Sequence, residues 1–129
     1  MQATGTFTVK MVPLESYANT QPPATLGRMA LDKSFSGPLE ATSQGEMLTG
    51  MTAVKGSAGY VALEKVTGTL EGKSGSFLLQ HFGIMHDGDS RLILEVVPAS
   101  GSGDLEKLAG KMAIRIENGV HYYDFEYTL

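Results

Sequence analysis

The chain has 129 residues, enough for one domain spanning 1–129 that buries a core without help from a metal or a disulfide. It contains no cysteine, which excludes disulfides and a thiol nucleophile. The net charge is -4, and the ten lysines and arginines are scattered rather than gathered into a basic stripe, which argues against nucleic-acid binding. The start MQATGTFTVK lacks a basic segment and an apolar core of signal-peptide length, and no apolar run approaches the ~20 residues of a spanning helix, so a cytoplasmic protein with no membrane partner is expected.

Thr4 to Val12 alternates, with Phe7, Val9 and Met11 on one face, and predicts the first strand. Pro13 to Arg28 has no period and contains Pro22-Pro23, so it is expected to be a long loop, a candidate lid over one end. Met29, Leu31 and Phe35 alternate with Ala30, Asp32 and Ser34 as the second strand. Gly37-Pro38 suits a two-residue turn, and a third strand runs from Leu39 to about Met51. That turn would put Gln44 and Glu46 on the face of Met29, Leu31 and Phe35, pointing Glu46 inward. Strands four and five, Tyr60 to Glu71 and Ser74 to His86, are joined by Gly72-Lys73. His86-Asp87-Gly88-Asp89 reads as a loop and Leu92 to Val97 as the sixth strand.

Asp104 to Ala109 can form one helical turn, with Leu105 and Leu108 three apart and Gly110 as its stop. Lys111 to Glu117 and Val120 to Leu129 are the last two strands, joined by Asn118-Gly119, the strongest short hairpin signal. About eight short antiparallel strands at regular spacing predict an all-β domain closed into a barrel.

Two turns specify neighbours. Around Asn118-Gly119, Glu117 faces Val120, and the pairs run from Ile116–His121 through Ile114–Tyr123 and Met112–Phe125 to Lys111–Glu126. One face then carries Ile116, Ile114, Met112, His121, Tyr123, Phe125 and Tyr127, and must point inward. Around Gly72-Lys73, Val66 faces Leu79 and Glu64 faces His81. Placing Glu64 and His81 inside leaves Val61, Leu63, Phe82 and Ile84 as an apolar outer patch, which suggests an interface in a homo-oligomer.

The stretches GYVALEKVTGTLEGKSGSFLLQHFGIM (Gly59 to Met85), VVPASGSGDLEKLAGKMAIRI (Val96 to Ile116) and FSGPLEATSQGE (Phe35 to Glu46) resemble the bacterial domain-of-unknown-function 3224 family. That resemblance implies an eight-stranded barrel similar to allene oxide cyclase. SGSGDLEKLAG (Ser100 to Gly110) also looks like the glycine-rich segment before a late strand in allene oxide cyclases and plant dirigent proteins, families that form trimers and hold a hydrophobic small molecule. Their catalytic residues do not transfer, because Thr4 to Val12 holds no acidic residue where the cyclase places its glutamate.

The candidate chemistry centres on Glu64 and His81. A carboxylate that orients an imidazole is acid–base equipment, and the competing role is a polar pair that fixes strand register. His121, Tyr123 and Tyr127 share the inner face of the last hairpin, as pocket lining or as barrel filling. Glu46 completes the set of ligand-facing candidates. His81, His121 and Glu64 come from separate strands with no ligand spacing, so no metal and no cofactor is expected. No serine sits in a Gly-x-Ser-x-Gly elbow, and the SGSG segment is followed by no lysine and helix, which excludes a phosphate loop. Three functions compete: a barrel that binds a small hydrophobic ligand, an isomerase or cyclase using Glu64 and His81, and a structural or assembly module with a filled core; a dimer or trimer is expected in each case.

Overall fold

In the computed structural model, which describes residues 1–129, the alternating segments become eight strands. They are β1 (Gln2–Leu14), β2 (Thr25–Ser36), β3 (Leu39–Met51), β4 (Ala58–Leu70), β5 (Lys73–His86), β6 (Asp89–Val96), β7 (Ala109–Glu117) and β8 (Val120–Thr128). Every strand pairs antiparallel with its sequence neighbour, and β8 pairs with β1, so the sheet closes in the order β1 to β8. Closure removes the exposed edges that an open sheet would present. No helix is long and apolar enough to cross a membrane.

Strand ends differ most from expectation at one end of the barrel. β1 runs on to Leu14 and β2 begins at Thr25, so the expected loop over Pro13 to Arg28 shortens to residues 15–24. There both faces of the strands are partly exposed, so no apolar alternation marks them in sequence. The expected helical turn at Asp104 to Ala109 is a 3-10 turn at Gly103–Leu105, with β7 starting at Ala109. Leu105 and Leu108 are both buried and join the core cluster of the barrel. Ser100 and Ser102 hydroxyls accept from the Leu78 and Ser76 amides at 3.0 and 3.1 Å. The Ser100 and Ser102 amides donate in turn to the Val97 and Ser76 carbonyls, so the SGSG segment is committed to β5 as a bend.

Three hairpins close with two residues of positive φ: Glu71 (50°) and Gly72 (82°), Asp87 (49°) and Gly88 (84°), Asn118 (52°) and Gly119 (77°). These are type I′ turns, whose twist matches that of the strands. The β7–β8 register is the expected one, from Glu117 opposite Val120 to Lys111 opposite Glu126. The 86–89 segment is a tight turn, not a loop, because Asp-Gly supplies both positive φ values. At β4–β5 the glycine takes the second turn position, so the turn is Glu71-Gly72 and not Gly72-Lys73. Leu70 then faces Lys73, Val66 faces Phe77 and Glu64 faces Leu79. That slip of two residues replaces each expected neighbour and leaves every side chain on its expected face.

At β2–β3 the slip is one residue, which reverses a face. Phe35 pairs with Ala41 and Leu31 with Gly45. The cause is Tyr123. Its hydroxyl accepts from the Leu39 amide at 3.0 Å and donates to the Ser36 carbonyl at 3.0 Å, standing where a two-residue turn would close directly. Gly5 makes room, since a Cβ there would lie within 2.4 Å of the Tyr123 hydroxyl. Tyr123→Phe should cost about 1–3 kcal/mol, because the buried Leu39 amide loses its acceptor. Urea unfolding at neutral pH measures this, and an unchanged midpoint would contradict the role given to the hydroxyl.

Inward positions are odd-numbered in β1, β2, β3, β5 and β8 and even-numbered in β4, β6 and β7. One half of this inner face is filled by Phe7, Phe35, Leu39, Val66, Leu70, Phe77, Leu79, Leu94, Val96, Tyr123, Phe125 and Tyr127, all buried in one cluster. In the other half the inner positions hold Met11, Met29, Met47, Met51 and Met85 with Tyr60, Leu92 and Ile114, and none of these is fully buried.

Candidate functional site

Glu64 stands on β4 at the boundary between the two halves, 1% exposed. Three donors converge on it. Lys33 Nζ on β2 lies 2.7 Å from Oε2, His81 Nε2 on β5 lies 2.5 Å from the same oxygen, and Ser43 Oγ on β3 donates to Oε1 at 2.7 Å. Lys33, Ser43 and His81 are likewise buried. Gly45, directly opposite Glu64, lets the strands close up here, since a Cβ would meet the Leu63 carbonyl oxygen at 2.1 Å and Glu64 Cα at 2.6 Å.

The electrostatics follow from this packing. Burial is the largest influence on Glu64 and pushes its carboxyl up. Together, the His81 hydrogen bond, the charge and bond of Lys33 and the Ser43 hydroxyl outweigh it and hold the carboxyl down at about 2. Glu64 is thus a fixed anion at neutral pH. Lys33 is stabilised further by the faces of Phe7 and Phe35, 5.2 and 5.9 Å from its ammonium. Since an ionised carboxylate only accepts, His81 Nε2 carries the proton of this bond, and Nδ1 is the acceptor in the neutral ring. Nδ1 makes no hydrogen bond within the protein, yet no buried side-chain nitrogen or oxygen lacks a partner. Nδ1 is therefore not fully enclosed by protein atoms, although the ring is only 5% exposed.

The predicted Glu64–His81 pair exists, as diagonal neighbours: His81 lies opposite Ala62. Glu46 faces outward, correcting the inward orientation expected from the Gly37-Pro38 turn, and binds Arg28 at the surface with Nε at 2.7 Å. The one-residue register shift imposed by Tyr123 moves Glu46 out and Ser43 in. Tyr123 and Tyr127 belong to the packed half, where Tyr127 lies against Phe125 with centroids 5.2 Å apart. Burial pushes both phenols up. His121 is half-buried against Phe7, centroid distance 5.2 Å, and does not join Glu64 and His81 in a metal-binding group.

Sequence reasoning missed Lys33 and Ser43. The signal for Lys33 was present, since period two puts it between Leu31 and Phe35 on the inner face. Ser43 was hidden by the turn that fixes its register.

Two large depressions lie on the outer wall. One, about 600 Å³, includes Lys10, Asp32, Gln44 and Lys65, and the other, about 640 Å³, includes Leu48, Val61, Leu63 and Gln80. A smaller one of about 410 Å³ reaches inner residues Leu92, Leu94 and Met112 where β6 and β7 part, for only Glu95 and Lys111 are paired between those strands.

Fold and site together define a closed eight-stranded antiparallel barrel with a buried lysine–glutamate–histidine cluster at mid-height. Residues 3–127 match the family described as protein of unknown function (DUF3224), and the chain belongs to it. It is similar to the crystal structure of a protein with unknown function from the DUF3224 family of Shewanella oneidensis MR-1. The two are 61% identical with a TM-score of 0.97, over 100% of this chain and 96% of that one. No curated protein matches.

Proposed function

We propose that the barrel binds a small, mostly apolar molecule in its methionine-lined half, with His81 at the floor as the polar contact. The observation that carries this is the His81 ring, fixed through Nε2 by a permanent anion while Nδ1 is left without a partner at the end of a packed core. Ligand sites combine an apolar lining with a few fixed polar groups. Methionine suits such a lining, because its unbranched, polarisable side chain adapts to varied shapes.

The test is titration with the fluorophore 1-anilinonaphthalene-8-sulfonate, with decanol as competitor. Met47→Glu places a charge among the inner methionines and should weaken binding at least about tenfold. Phe82→Asp, on the outer wall, should leave it unchanged. Binding lost in Phe82→Asp but kept in Met47→Glu would place the site outside the barrel and refute the proposal. Absence of binding would favour a packed assembly module.

The same histidine supports a second function, an isomerase or cyclase. An imidazole oriented by a carboxylate can pass a proton at its other nitrogen. Native mass spectrometry of protein from its source would identify a bound molecule. Its conversion on incubation, stopped by His81→Asn with the fold intact, would establish catalysis.

A further inference from the structure

The outer wall of β3 to β6 is unlike the rest of the barrel. Leu48, Val61, Phe82 and Ile93 are directly paired from strand to strand and form one continuous apolar row across the wall. They are 57%, 47%, 41% and 53% exposed. Elsewhere the wall is mostly polar, with Thr8, Lys10, Asp32 and Lys65 around β1 to β4 and an Arg115–Asp124 ion pair on β7 and β8, and the exposed apolar side chains Val12, Leu14 and Leu26 lie towards one end of β1 and β2. Ile84, expected in this patch, is only half-buried, and Leu63 is 49% exposed beside the row.

We infer that this face joins two copies of the chain about a two-fold axis lying along the row. The flanking residues select both the occupant and the axis. On one side the register gives Glu46–Leu63–Gln80–Glu95, and on the other Gly50–Gly59–Ile84–Arg91. A face-to-face pair must have its axis in the plane of contact. An axis parallel to the strands would set Glu46 against the partner's Glu95 twice, bringing like charges together. An axis along the row sets each apolar residue against its own copy and Glu95 against the partner's Arg91 twice. It also lays the partner's Leu63 over Gly59, where no side chain stands. Arg91 and Glu95 make no ion pair within the chain, so both charges are free to cross the interface. The face is therefore complementary to itself in charge as well as in hydrophobicity.

Light scattering coupled to size exclusion, with the intact chain at about 10 µM, tests this at a concentration where a micromolar dimer is populated. The expected mass is twice that of one chain. Arg91→Glu alone and Glu95→Arg alone should each weaken the dimer about tenfold or more, because each sets like charges face to face. The double swap Arg91→Glu/Glu95→Arg should restore it. Phe82→Asp should give a monomer with unchanged circular dichroism. A monomeric or trimeric wild type, or a dimer indifferent to the single swaps, would overturn the inference. The outcome does not depend on ligand binding, which Met47→Glu tests separately.

Discussion

Glu64→Leu should destabilise the protein by about 3–5 kcal/mol, and adding Lys33→Met should recover most of the loss. In the single variant the Lys33 ammonium stays buried without its carboxylate, while the rings of Phe7 and Phe35 offset only part of the cost. In the double variant no unpaired charge remains, and two apolar chains of similar volume fill the space. Replacing a buried ion pair by packed hydrophobes is often neutral, whereas removing one partner is not. Urea unfolding of wild type, both singles and the double gives the coupling directly. A loss below about 1 kcal/mol in Glu64→Leu would mean that the charges are better solvated than their burial implies. A double variant as unstable as the single would mean that Ser43 and His81, not charge balance, set the cost.

Acid should remove the same stabilisation in a defined window. The Glu64 carboxyl titrates at about 2 in the folded protein against an ordinary 4.5. A folded value below the unfolded one means that the unfolded chain takes up the proton first as pH falls. The contribution is thus complete above pH 4.5 and is lost progressively towards pH 2. That interval corresponds to ~3 kcal/mol. Subtracting the urea stability of Glu64→Leu/Lys33→Met from that of wild type at stepped pH cancels the surface carboxylates common to both and leaves the contribution of the Glu64 cluster. The difference should stay flat from pH 7 to about 5 and then fall steeply. Parallel curves down to pH 2 would show that Glu64 is not held ionised by its neighbours.

A carboxyl held this low cannot serve as a proton donor near neutrality, so in the proposed isomerase or cyclase the proton would pass at His81 and not at Glu64. Glu64 would act only by fixing the ring and its tautomer.

Much of the fold was legible in the residues. Period-two alternation marked the eight strands, because burying one face demands it, and Asn118-Gly119 set the last hairpin register because that dipeptide accepts positive φ at both turn positions. The inward pairing of Glu64 with His81 was legible too. It survived a two-residue register error, since an even slip preserves the face. An odd slip does not, and there the sequence misled. Gly37-Pro38 looked like a two-residue turn, but Tyr123, 84 residues from Leu39, puts its hydroxyl into that turn and shifts β3 by one. No local signal carries a contact of that range. It exchanged Glu46 for Ser43 at the site and sent Glu46 to Arg28 on the surface. Lys33 was visible on the inner face, but its role was not, because a buried lysine acquires meaning only when closure of the barrel brings a carboxylate to it. Local patterning, then, determined the strands, most of their faces and the barrel. Tertiary closure decided which polar groups meet within it, because charge pairing depends on ångström distances between strands that no period in the chain encodes.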